Sequence, residues 1–315
     1  MYKRISSAHK MIDYRHLDAL ASHQVWIPFH FLPGNFGLPV GNEPDGKFIK
    51  KLVCKPNSYS SIDMVNACID DNSKPYALHR LGIAMHVYAD TWAHQGFAGV
   101  NHKINEVKDL VLENEETDMN KKISDYFGDI FDSVKQKFVN DKFPLGHGAA
   151  LTCPDKPYLK WHYTNGLGEL VSRDNPSDFH AAVALMFKYM TDFRKKRGDT
   201  NVATEANEND LNKILANFND FRDEKGDARH EKWIASIRNE DFSFGSIELS
   251  YIPKGEGSWK YKALGQLKDV DQNDDKFEYN SSFLESDWKM FHDALQAHYF
   301  DVVHDILPKY GICAA

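Results

Sequence analysis

Apolar residues recur along this chain mostly at three- and four-residue spacing, the period of a helix that buries one face. The pattern predicts a polar-faced helix over 6–23, a short helix over 60–71, and a longer one over 75–99 with Pro75 in its first turn. It continues through 104–140, first as Ile104, Val107, Leu110 and Val111, then from Ile123 to Phe138. Asn175 and Pro176 read as N-cap and first helical residue of a helix running to Lys196. Helical spacing returns over 211–240, and Ser286 reads as the cap of a tail helix ending near Leu307. One stretch, 245–264, alternates instead and predicts two short strands around a Lys-Gly-Glu-Gly turn.

Two stretches break the helical period. Residues 26–48 and 143–161 are dense in Pro, Gly and aromatic residues, the composition of long ordered loops. Residues 199–210 read as a polar linker. The expected fold is mainly α: a single helical domain over 1–315 with long ordered loops, a small β-hairpin, and a polar embellishment at about 199–285. No internal repeat is visible.

Charge and composition narrow the function classes. A net charge of −8 argues against a general nucleic-acid or anionic-membrane surface; the basic run 193–198 reads as a helix end. None of the four cysteines forms a C-x-x-C pair, so a zinc ribbon and a disulfide framework are not expected. The N-terminus lacks an apolar core and no run of 18 apolar residues occurs, so neither a secretory signal nor a transmembrane helix is read, and a cytoplasmic setting is expected. Fifteen histidines raise the weight of metal chemistry.

The candidate chemistry centres on LGIAMHVYADTWAHQGFAG, 81–99. His86, Asp90 and His94 stand at i, i+4 and i+8, and each four-residue step drifts by about 40°, so the three share one helical stripe. A carboxylate inside an otherwise apolar helix is costly unless paired or metal-bound. Two imidazoles and a carboxylate suit a divalent ion such as zinc. The bland reading is a His–Asp–His hydrogen-bond relay that ties helices together. His30, between Phe29 and Phe31, and His147 and Asp155, in the second loop, are the residues that rigid loops can aim at the stripe. His30 is taken as a further ligand; His147 and Asp155 are taken as catalytic, positioning or activating a water. His9, His16 and His23 share a face as solvent or packing residues. His180, His292, His298 and His304 are minor candidates, with His298 and Asp301 able to serve as polar core. Tyr88 and Trp92 are read as packing. No G-x-S-x-G, P-loop, G-x-G-x-x-G or H-E-x-x-H competes, and NGLGEL (165–170) lacks a nucleotide-binding context.

WIPFHFLPG (26–34), SAHKMID (7–13), GIAMHVYADTWAHQGFAG (82–99), LGHG (145–148) with PDKPYL (154–159), and RDNP (173–176) resemble an uncharacterised family of bacterial and fungal proteins known only as a domain of unknown function. Members of that family carry a further N-terminal helical segment with an Asp-Phe-His motif. The chain is expected to begin after it, which would leave any site that uses it incomplete. A more distant resemblance is to zinc-dependent phospholipase C and P1-type nucleases, all-helical hydrolases with clustered zinc. Their H-x-x-x-D start matches His86 and Asp90, whereas His94 falls two residues before their third ligand and their Pro-x-His ending is absent. The adjacent His-Asp pair of HD-type phosphohydrolases is also missing. The resemblance implies a zinc-dependent hydrolase of a small-molecule or lipid phosphoester. The alternative is a non-catalytic helical protein whose stripe is a relay or a structural metal site.

Overall fold

The computed structural model describes Ser7 and residues 22–113, 145–265 and 278–314. Most of the predicted helix over 6–23, with His9 and His16, and the segment from Ile123 to Phe138 lie outside the described residues; Ser22–Trp26, which includes His23, is a helical turn. The fold is mainly α with a small three-stranded antiparallel sheet.

At its centre lies α2, Ala77–Ala93, packed by α1 (Tyr59–Asp70), α3 (Asn175–Lys196) and α7 (Asp287–Phe300). The apolar periodicity dictates this. Ile83, Val87 and Tyr88 of α2 meet Met64 and Val65 of α1 and Leu295 of α7 in one buried cluster. That cluster continues into the segment after α7, where Val302, Val303, Ile306 and Leu307 are buried. Ser58 caps α1 and Ser286 caps α7, each Oγ accepting from the backbone N–H three residues on. Within the helical layer Arg80 is buried and pairs with Asp71 and Asp301, the latter partly exposed and so at the edge of the core rather than in it.

The sheet has the order β1 (Val107–Leu112), β2 (Lys160–Asn165), β3 (Leu170–Asp174). Trp161, Tyr163 and Asn165 of β2 are buried while Lys160, His162 and Thr164 are not, the alternation of a strand with one covered face. Trp161, Tyr163, Phe97, Phe31, Tyr158 and Leu159 form a second core on that face. Beyond β3, α4 (Glu208–Asp220) and α5 (Gly226–Arg238) follow α3, and α6 (Trp259–Leu264) precedes α7.

The structure corrects several expectations. Residues 107–112 are a strand, not a helix; Asp109 adopts φ 52° and the register to β2 slips between Lys108 and Val111. That bulge breaks the two-residue alternation and imitates a helical spacing. The hairpin expected at 245–264 is absent: 246–254 has no regular structure, Ile247, Leu249 and Tyr251 are exposed, and 259–264 is helical. The real hairpin is β2–β3, closed by Asn165-Gly166-Leu167-Gly168. Asn165 Oδ1 accepts from the N–H groups of Leu167 and Glu169. A methyl on Gly166 would lie 1.7 Å from the Lys103 carbonyl oxygen, so only glycine fits there. The helix predicted over 75–99 stops at Ala93, and α3 is capped by Asp174 rather than Asn175.

His298, on α7, is buried, donates from Nε2 to the Pro28 carbonyl at 2.9 Å, and stacks on Phe29. Burial pushes its pKa down to about 4. The native state therefore keeps it neutral while the unfolded chain protonates it near 6.5. Its contribution is complete above that value and is lost as pH falls toward 4, about 3 kcal/mol in all. In thermal melts taken from pH 7 to 4, the stability gap between wild type and His298→Gln is expected to narrow across that window. A constant gap would show that His298 is not held neutral.

Candidate metal centre

Three backbone segments are stitched together beneath the C-terminus of α2. Gly34 N–H bonds to Val53 O, Cys54 N–H to Phe97 O and Gly96 N–H to Cys54 O. Gly146 N–H bonds to Ala98 O, which joins the second loop to the same lattice. Thus 30–34, 94–98 and 146–151, far apart in sequence, come together as one wall. Phe29 enters the helical core and Phe31 the sheet core, which leaves His30 between them at the seam.

All six residues singled out from the sequence meet at this seam. Asp90 Oδ2 lies 3.1 Å from His30 Nδ1 and 3.3 Å from His86 Nε2. His94 terminates α2 (φ −95°, ψ 14°) and does not extend the stripe. Its Nδ1 lies 3.8 Å from Asp90, but its Nε2 faces Asp155 Oδ1 at 3.5 Å. His147 Nε2 lies 3.7 Å from Asp155 Oδ2, and its ring tilts against His94 with centroids 4.7 Å apart. The donors therefore form two triads, His30–His86–Asp90 and His94–His147–Asp155, with His94 standing between them. His147 and Asp155, read as catalytic from the sequence, stand here as candidate ligands. His180, His292, His298 and His304 belong to neither triad.

Three imidazoles have one ring nitrogen already committed. His94 Nδ1 donates to His30 O, His147 Nδ1 to Leu151 O, and His30 Nε2 to Ser7 O, each at 2.8 Å. With a single ring proton on that side, the other nitrogen turns a lone pair toward a carboxylate oxygen. A lone pair facing an anion at this range needs a cation between them or a second proton on the ring. Zinc bonds of about 2.0–2.1 Å at tetrahedral angles place neighbouring ligand atoms about 3.3 Å apart; the His–Asp pairs stand at 3.1–3.7 Å, and all donor atoms of a triad lie within 4.8 Å of one another.

The electrostatics fit a dication. Burial alone would raise Asp90, but His94, His30 and His86 hold its carboxyl below the usual range. Burial would likewise raise Asp155, and His94 and His147 hold it down. Burial pushes His147 down, with His94 adding to the effect. Burial would lower His94 too, yet Asp90 and Asp155 on either side raise it. Each triad also has an open lip: the side chains of His86 and Asp155 are 55% and 46% exposed, against 6% for His94.

The residues that aim these groups were not read from the sequence as site residues. Asn175 is buried, and its Nδ2 donates to Cys153 O and Lys156 O, clamping the turn that carries Asp155. Its Oδ1 accepts from Trp161 Nε1. Arg173 reaches the carbonyls of Trp92, Ala93 and Gln95, the end of α2 that presents His94. Both lie in the Arg-Asp-Asn-Pro run, and a charged residue on the covered face of a strand was the available signal. Phe31 stacks on His94 at 4.6 Å, and a methyl on Gly146 would lie 2.3 Å from that ring.

A seam of six convergent His and Asp side chains with two open lips defines a protein with a candidate metal centre. The chain matches the Family of unknown function (DUF6765) over residues 1–306 and belongs to that family. Among curated proteins and among solved structures nothing matches it. No described helix is long and apolar enough to cross a membrane.

Proposed function

We propose that the protein is a divalent-metal hydrolase, that zinc is the ion, and that its substrate is a phosphoester. One observation carries the reading: three committed imidazoles turn their free nitrogens onto carboxylate oxygens at the spacing of metal ligands. A closed structural site would bury every donor, whereas His86 and Asp155 stand at the surface, leaving room for water or substrate. Bound metal would lower the pKa of a coordinated water and stabilise charge on a phosphoryl oxygen. Asp90 and Asp155 supply the negative charge that holds a dication, and the carbonyls of His30, Leu151 and Ser7 fix the tautomers. The H-x-x-x-D likeness to helical zinc phosphoesterases at His86 and Asp90 points the same way.

A second reading has its own support. The 3.1 Å contact of His30 with Asp90 is a normal hydrogen bond if the ring carries two protons, and the carboxylates flanking His94 favour its charged form. The six groups would then be a relay that joins two cores.

Elemental analysis separates the two. Protein purified without chelators and soaked in zinc is expected to retain the metal after gel filtration, and to hold it more weakly as acid protonates His94. A phosphodiester and phosphomonoester panel is then expected to show turnover that chelation abolishes. Protein that retains no metal is the relay. Retained metal without turnover marks a structural centre.

A further inference from the structure

The sequence run Gly34-Asn35-Phe36-Gly37 takes no part in the triads, yet it is conformationally costly. Asn35, Phe36 and Gly37 have φ of 46°, 58° and 78°, three successive residues in the left-handed region. Glycine tolerates this; a phenylalanine there is an outlier that its surroundings must enforce. The enforcement is visible: Asn35 is buried, and its Nδ2 donates to the carbonyls of Leu38 and Asn42. What the turn achieves is to hold the Phe36 ring half exposed, outside either core.

Two ammonium groups stand against that ring, Lys50 Nζ at 5.4 Å and Lys55 Nζ at 5.6 Å from its centroid. Neither pairs with a carboxylate among the described residues, whereas the neighbouring Lys51 is paired with Glu43. The three side chains border a cavity of about 230 Å³ whose apolar wall includes Val53, Ile104, Leu167 and Val171. Gln95 and Gly96, the two residues after His94, complete the wall that it shares with the triads. Glu169 is the lining carboxylate, and its Oε2 accepts from Asn165 Nδ2 at 2.9 Å.

We propose that this cavity is a second binding site, separate from the metal centre, for a small anion that carries an apolar or aromatic body. The anion pairs with the Lys50 and Lys55 ammonium groups, which line the cavity beside Phe36. The apolar body lies against Ile104, Leu167 and Val171 with Phe36 as a ring partner. Size permits this, since a dry cavity of about 150 Å³ accommodates benzene.

Phenylphosphonate, which cannot be hydrolysed as an ester, is the probe. Calorimetric titration into the zinc-soaked full chain is expected to show saturable binding that weakens at least tenfold in Lys50→Gln/Lys55→Gln, with zinc content unchanged. Phe36→Gly is expected to weaken binding while melting at or above the wild-type temperature, because glycine relieves the left-handed strain. Wild-type affinity in the double lysine variant would place the phosphonate elsewhere and overturn the proposal, as would no binding at all. Tighter binding of benzylamine would assign the cavity to Glu169 and overturn it too. A Phe36→Gly variant that binds normally but melts lower would make the ring structural and remove it from the site.

Discussion

Asp90→Asn is expected to strip the first triad of its metal and leave the fold standing. Among the described residues Asp90 is the carboxylate that pairs with both His30 and His86, and it lies 3.8 Å from His94, which also faces Asp155. Asparagine keeps the shape and removes the charge, so His30 and His86 no longer share an anion that can hold a dication. Loss of an outer-shell partner typically weakens metal binding about 10–100-fold; loss of a direct ligand exceeds that. Elemental analysis should find about half the wild-type zinc in Asp90→Asn, about half in Asp155→Asn and almost none in the double variant, if each triad takes one ion. The α2 helix has its own packing, so the metal-free variants should melt close to metal-free wild type. Full zinc content in Asp90→Asn would remove Asp90 from the ligand set and leave it as a relay.

The second large effect is expected at Arg173, which touches none of the six donors. Its guanidinium donates to Trp92 O at 2.9 Å and Ala93 O at 3.1 Å, and its Nε faces Asp178 at 3.4 Å. Asp178 in turn accepts from Gln95 Nε2 at 2.7 Å. One buried cation thus satisfies the orphan carbonyls at the end of α2, complements its dipole and braces the turn that carries His94. Arg173→Met takes the side-chain donor from the Ala93 carbonyl and leaves Trp92 O and Asp178 with Gln95 Nε2 alone, a loss of about 3 kcal/mol. For a chain of this size the melting temperature should fall by on the order of 10 °C. Arg173→Lys should recover little, because an ammonium cannot reproduce the planar fork. Zinc should bind more weakly in both variants even below their melting points, since His94 loses its brace. An unchanged melting temperature in Arg173→Met would show that the carbonyls find other partners.

The difference between Asp90 and Arg173 also marks what was legible in the sequence. Asp90 stood out because a carboxylate amid Ile83, Met85, Val87 and Ala93 has no cheap explanation. His30, His147 and Asp155 stood out because their loops are too rich in Pro, Gly and aromatic residues to be slack. Helices with clean periodicity and a serine cap, α1 and α7, were likewise readable. Strand β1 was not, because the bulge at Asp109 shifts its apolar positions into helical spacing. Strands β2 and β3 were hidden by a local reading of Asn165-Gly166-Leu167-Gly168 as a failed nucleotide loop, when Asn-Gly between alternating residues is a hairpin signal. The alternation at 247–251 is real, yet without a partner strand it builds no sheet. His94 shows the limit most clearly. Spacing put it on the stripe, and the end of the helix one residue earlier turned it toward Asp155.

The placement of Phe29 in one core and Phe31 in the other has a consequence for which ions the first triad would accept. A donor anchored from both sides cannot retreat to suit a larger ion. Bonds to calcium run about 2.3–2.6 Å, against about 2.0–2.1 Å for zinc. Widening the triad around His30 by that difference would draw one aromatic ring partly out of its core. Full burial of such a ring is worth about 1.5–3 kcal/mol, so strain of this origin could set size selectivity at up to about one to two powers of ten in affinity. Discrimination between ions would then originate in the hydrophobic packing of the fold, in addition to the chemistry of the donors themselves.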